Sequence, residues 1–238
     1  MAPSHTLKSF DTALDDLNAR IDLMFKIVRK NVRQSQKAFG NYDNAIIESI
    51  IERDNMLNDL EVDVDDAARQ LIVHHQPAAS DLRFVFAATK IVTDLERMGD
   101  LIGNVAAGLQ RLNHLEGDIP PVFTTLNNLV LDQIKMARKS FLNRDSQLAG
   151  KVIEHDDLID DQFVNDQRVL LTHMAENPAL ISHCMQLSTC LKQLERIGDH
   201  AVNIAQMVIY MVMGREVRHI SQEDLLDLLD EADDDEDD

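Results

Sequence analysis

Apolar residues recur at steps of three, four and seven along almost the whole chain. Leu14, Leu17, Ile21, Met24, Phe25, Val28 and Val32 form one stripe, and Ile46, Ile50, Ile51, Leu57, Leu60 and Val64 form a second. A third passes through Phe84, Ile91, Leu95, Met98, Ile102, Val105 and Leu109. This spacing keeps one helix face apolar and predicts long helices over 6–39, 43–75 and 78–113. Gly40-Asn41-Tyr42 and Gln76-Pro77 break the pattern, with Ser80 a candidate N-cap for the third helix. GDIPP at 117–121 is the strongest interruption in the chain and marks a half boundary.

After it the plan restarts, with helices predicted over about 121–142, 145–175 and onward to about 213. Phe39 corresponds to Phe141, Asp43 to Asp145, Ile51-Glu52 to Ile153-Glu154 and Asp54 to Asp156, each pair 102 positions apart (141 − 39). LERMGD at 95–100 returns as LERIGD at 194–199, offset by 99 (194 − 95), so three residues were lost around the turn. A repeat of this kind signals an internal duplication of a three-helix unit. Helices near 25–35 residues joined by short turns must lie antiparallel. The expected fold is all-α: two tandem antiparallel three-helix bundles, 1–116 and 117–222, related by a pseudo-twofold. A disordered acidic tail is expected over 223–238.

Composition agrees: five Pro, eight Gly and 45% hydrophobic residues in 238. No apolar run reaches the roughly 20 residues that span a bilayer. MAPSHTLKSFDTAL lacks the basic, apolar and small-residue regions of a signal peptide. Cys184 and Cys190 form no CxxC and read as free thiols of a reducing, cytoplasmic compartment. Of the net charge of −19, the tail supplies eleven acidic residues, leaving about −8 for the body. An acidic body lacks the basic footprint of a nucleic-acid binder, and it weighs against anionic lipid as a direct partner.

Between 94–106 and 193–205 seven of thirteen positions are identical, and five of those are polar or Gly. Packing alone would have kept the apolar positions instead. Glu96 and Asp100 stand one turn apart, as do Glu195 and Asp199, a like-charge spacing that disfavours an exposed helix. Gly99 and Gly198 each cost about 1 kcal/mol of helix propensity and predict close approach of another helix. Asp54, Asn58, Glu61 and Asp65 on helix 2, and Asp156 and Asp160 on helix 5, are the candidate facing residues. Carboxylates facing carboxylates across a bundle are the donor set of multinuclear metal sites. Oxygen ligands favour Mg, Ca, Mn or Fe, with Zn also admissible. Taken singly, however, Glu96 and Asp100 fall roughly 120–160° from the centre of the apolar stripe, the position of a solvated face. Arg97 and Arg196 read either as ion-pair partners for these acids or as groups for phosphate or a partner protein. The histidines lack the i, i+4 spacing of a helical ligand pair, and His200, opposite Leu101 in the repeat, reads as incidental. Met207, Met211 and Met213 read as packing residues.

These residues carry a resemblance. The segments IIERDNMLNDLEVDVDDA, QPAASDLRFVFAATKIVTDLERMGD, VIEHDDLIDDQF and LKQLERIGDHAVNIAQMVIYMVMG resemble the PhoU family of accessory regulators of bacterial phosphate-specific transport. The resemblance implies two three-helix bundles and metal clusters held by Asp54, Glu96 and Asp100 in the first half. In the second half it implies Asp156, Asp160, Glu195 and Asp199, with Fe, Zn, Mn or Mg as the metal. It also implies a cytoplasmic negative regulator of phosphate uptake and the phosphate-starvation response. Its partners would be the transporter's ATP-binding subunit and the sensor histidine kinase, with a homodimer expected and the membrane met only through those partners. Asn58 replaces an acid of the family pattern, so the second site is expected to bind metal better. The competing reading, a ferritin-like di-metal enzyme, needs Glu-x-x-His pairs. Glu52, Glu96, Glu154 and Glu195 are followed instead by Asn55, Gly99, Asp157 and Gly198.

Overall fold

Asp43 and Asp145 open the middle helix of each half in the same way. Each is extended, and its carboxylate accepts from the free N–H groups of the first turn: Ala45 (2.9 Å) and Ile46 (3.4 Å) from Asp43, Leu148 (2.7 Å) from Asp145. The computed structural model describes residues 4–41, 43–77, 79–112, 122–218, 220–221 and 224–229. In chain order the helices are α1 (Ser4–Asn41), α2 (Asn44–His75), α3 (Ala79–Leu112), α4 (Phe123–Asn143), α5 (Ser146–Glu176) and α6 (Ile181–Met213). A 3-10 turn, Pro178–Leu180, precedes α6, and the Asn177 side chain accepts from the N–H of Ala179. No strand occurs among the described residues.

The helix count matches expectation, but the lengths diverge more than predicted. α1 has 38 residues and continues through Asn41, while α4 has 21. Ser80 is not an N-cap, because the helix already begins at Ala79. GDIPP, at 117–121, lies outside the described residues.

α1, α2 and α3 pack against one another, as do α4, α5 and α6. The two bundles join through α1 with α4 and α3 with α6. These four helices form the middle of the molecule, and α2 and α5 flank it. Between bundles, Phe39 stacks on Phe123 at 4.8 Å and Phe25 meets Phe141 at 6.0 Å. Ser35 Oγ lies 3.1 Å from Asn127 Oδ1 within the same buried seam. The packing methionines Met207 and Met211 are buried, as are the free thiols Cys184 and Cys190. No helix among the described residues is long and apolar enough to cross a membrane.

The tail departs from expectation. Residues 224–229 are helical, with Leu225 and Leu229 buried. Gln147 Nε2 donates to the Leu229 carbonyl at 2.9 Å. Leu229 also fills the space above Gly150, where an added Cβ would stand 2.5 Å from its Cδ1. The leucines of an acidic run thus form an amphipathic turn anchored on α5. Residues 230–238 lie outside the described residues.

Candidate functional site

The repeated glycines do what their sequence position predicts: they let an aspartate of the neighbouring helix lie against α3 or α6. A Cβ on Gly99 would stand 2.5 Å from Leu57 Cδ1 and 2.7 Å from Asp54 Oδ1. A Cβ on Gly198 would stand 3.0 Å from Asp156 Oδ1, 3.2 Å from Gln133 Oε1 and 3.3 Å from Ile159 Cδ1. Helix propensity is given up so that α2 can seat Asp54, and α5 Asp156, over a bare backbone.

Around Gly99 the carboxylates influence one another. Burial, then the charge of Asp100, raises the Asp54 carboxyl above its ordinary range. Burial, then Asp100 and Glu61, does the same to Glu96, with Arg97 opposing. Arg97 lies 3.6 Å from Glu96 and 3.7 Å from Asp100, a loose bridge between two acids. Glu96 is far less exposed than its neighbour, with 15% of its side chain open against 44% for Asp100. The solvated-face reading therefore fails for the glutamate, because α2 covers that face. Ile51, Asp54, Asp100, Gly103 and Asn104 line an open cavity of about 440 Å³. Asp54 Oδ1 is buried without a hydrogen-bond partner.

The second half gives its carboxylates more hydrogen-bond support. Asp156 is pushed up to about 6 by burial, against the pull of a hydrogen bond from Gln133. Asp160, Asp199 and Glu195 add their charges in the same upward direction. Burial raises Asp160 and Glu195 as well, with Asp199 contributing to both. Glu195 is buried and receives a 2.5 Å bond from Lys192 Nζ, while its Oε2 has no partner. Asp160 and Asp199 are exposed at the rim. Arg196 does not repeat the role of Arg97, which Lys192 has taken.

Two side chains of this neighbourhood escaped the sequence pattern. Gln133 Nε2 donates to the Val152 carbonyl (3.3 Å) and to Asp156 Oδ1 (3.0 Å). Its repeat counterpart Asn31 donates to the carbonyl of Ile50 (3.4 Å), the counterpart of Val152, but lacks the length to reach Asp54. Arg53 binds Asn31 instead (2.6 Å), as well as Gln34 and Ser49. The signal was present in the sequence: one amide at the same place in both apolar stripes, between Val28 and Val32 and between Val130 and Ile134. Among the described residues no three His, Cys, Asp or Glu side chains converge closely enough to form a ready metal cage. The seven candidates fall on opposite flanks, three on α2 and α3 and four on α5 and α6.

His200 is not incidental. Its Nδ1 lies 2.7 Å from Asp94 Oδ1, and Asn203 Nδ2 donates to the same oxygen at 3.2 Å, linking α6 to α3. A basic footprint exists locally despite the negative net charge. Lys26, Arg29, Lys30, Arg33, Gln34 and Lys37 of α1 and Arg138 of α4 line a groove of about 410 Å³.

A duplicated all-α scaffold with an aspartate seated over a helical glycine in each half defines a class of tandem three-helix carboxylate proteins. Within that class the PhoU domain model matches the chain twice, at residues 21–108 and 123–208, and the chain belongs to the PhoU family. It is 33% identical over 230 residues to a phosphate-specific transport system accessory protein PhoU homolog of Burkholderia sp, covering 94% of this chain and 97% of that one. It is 36% identical over 221 residues to the homolog of Rhizobium meliloti, covering 91% and 92%. The crystal structure of PhoU from Pseudomonas aeruginosa superposes with a TM-score of 0.82 at 33% identity, over 87% of this chain and all of that one.

Proposed function

We propose that the chain is a non-catalytic accessory regulator of phosphate-specific transport. In this reading it restrains phosphate uptake and the phosphate-starvation response from the cytoplasmic side. It does so as a homodimer that docks on the transporter's ATP-binding subunit and on the phosphate sensor histidine kinase. The observation that carries the proposal is a family match running through both halves and nearly the full length of the relatives, with the acidic LERxGD set kept in each half. Those relatives are described as accessory proteins of phosphate-specific transport, which supports a role without turnover.

Asp54, Glu96 and Asp100 in the first half, and Asp156, Asp160, Glu195 and Asp199 in the second, are the residues that would hold Fe, Zn, Mn or Mg. Their chemistry fits: both sets are all-oxygen, and Asp54 Oδ1 and Glu195 Oε2 are buried without a partner. A bound cation supplies the positive charge these clustered carboxylates lack. One set stands on α2 and α3 and the other on α5 and α6, so a shared cation would couple two helices in each half. Co-purification with the ATP-binding subunit and the sensor kinase, at high and at low phosphate, tests the reading. Retention of both partners at high phosphate is the expected result, and failure to retain either at any phosphate level contradicts it.

A further inference from the structure

Charge is sorted by helix. α2 carries eight acidic residues against two basic ones, and α5 carries seven against two. Residues 23–41 of α1 hold five cations and no acid, and residues 133–143 of α4 hold three and none. The fold sets these two stretches side by side, and part of them forms the groove of Lys26, Arg29, Lys30, Arg33, Lys37 and Arg138. Asp22 is the acid paired there, with Lys26 at 2.7 Å and Arg138 at 2.5 Å. Arg29, Lys30, Arg33 and Lys37 have no ion-pair partner among the described residues, and Arg29 Nε is buried without a hydrogen bond. Four uncompensated cations in a row, on a chain of net charge −19, call for an anion.

The chain carries its own. Residues 230–238 hold eight acidic residues in nine, and they continue from Leu229, whose position is fixed. Gln147 holds the Leu229 carbonyl, and the Gln133–Val152 and His155–Leu129 bonds set the antiparallel register of α4 against α5. That register places Gln147 level with Arg138. The Arg138–Asp22 bond in turn puts the same level beside the Lys26 end of the groove. From α5 across α4 to α1 is two helix spacings, about 20 Å. Nine extended residues reach about 30 Å, and Lys135 and Lys139, both exposed on α4, mark the way across.

We propose that the acidic segment 230–238 docks intramolecularly in the basic groove between α1 and α4. Docked there, it neutralises the groove and competes with other anions for it. The association is electrostatic and fades as salt shortens the screening length from about 10 Å at ~0.1 M to about 3 Å at ~1 M.

The test is paramagnetic relaxation in the full-length chain carrying a nitroxide at Glu236→Cys; Cys184 and Cys190, at 0% and 1% exposure, escape labelling. The expected result is loss of more than half the amide signal in 26–37 and 135–139 at low salt. That signal returns in ~1 M salt and in Lys30→Glu/Arg33→Glu, which alters two exposed side chains. Unchanged spectra, broadening centred on other helices, or broadening seen only between differently labelled molecules would each overturn it. The last result would assign the groove to a second copy's tail.

Discussion

The two halves share a backbone plan and differ in what stands behind the aspartate. In the second, Gln133 reaches Asp156, and Asp160 adds a rim carboxylate. In the first, Asn31 is one methylene short and is held by Arg53, Asn58 replaces the rim acid, and Asp54 Oδ1 is left without a partner. A similar split is seen deeper in α5. Asp166 is 4% exposed where the first half has buried Val64, and burial pushes its carboxyl up to about 6 against the bond from Gln162. Duplication preserved the seat for the carboxylate while the support around each seat diverged. Two sites of one ancestry need not have one affinity.

Asp166 gives the largest expected effect. A carboxyl that titrates near 3.8 unfolded and about 6 in the fold binds more protons when folded. Its stabilising contribution is therefore fully present below pH 4 and lost as pH rises through 6, a swing of up to about 3 kcal/mol. Asp166→Asn keeps an acceptor for Gln162 and removes the titration. Urea unfolding should show the variant more stable than the parent above about pH 7 and equal to it near pH 4. A constant difference across that range would refute the assignment.

The glycine seats come next. At Gly99 a methyl group meets atoms at 2.5 and 2.7 Å, an overpacking penalty of about 1–3 kcal/mol, reduced by the ~1 kcal/mol of helix propensity gained. At Gly198 the nearest atoms stand 3.0–3.3 Å away, so Gly198→Ala should be near neutral and Gly99→Ala destabilising. Equal unfolding midpoints would show that the first seat is no tighter. The smallest effect falls on the join between halves. His200→Leu, which copies Leu101, removes one of two hydrogen bonds to Asp94 and should lower stability by about 1 kcal/mol without altering metal content.

Six helices, their antiparallel order and the purpose of the glycines were legible because each leaves a periodic or repeated trace in one dimension. The environment of Glu96 was not. A helical wheel places it off the apolar stripe, but α3 packs against α1, α2 and α6 at once, so its polar face is covered too. Leu225 and Leu229 were masked by the acids around them, and the α1–α4 groove by a net charge that averages over the molecule. Gln133 was hidden in an apolar stripe, visible only by aligning it with Asn31.

Elemental analysis of purified, unsupplemented protein bears most directly on the central claim that both LERxGD sets are cation sites. The account predicts stoichiometric metal in the parent chain. It predicts a larger loss in Asp156→Asn/Glu195→Gln/Asp199→Asn than in Asp54→Asn/Glu96→Gln/Asp100→Asn. Metal-free parent protein would contradict the claim, and loss confined to the first-half variant would reverse the ranking of the two halves.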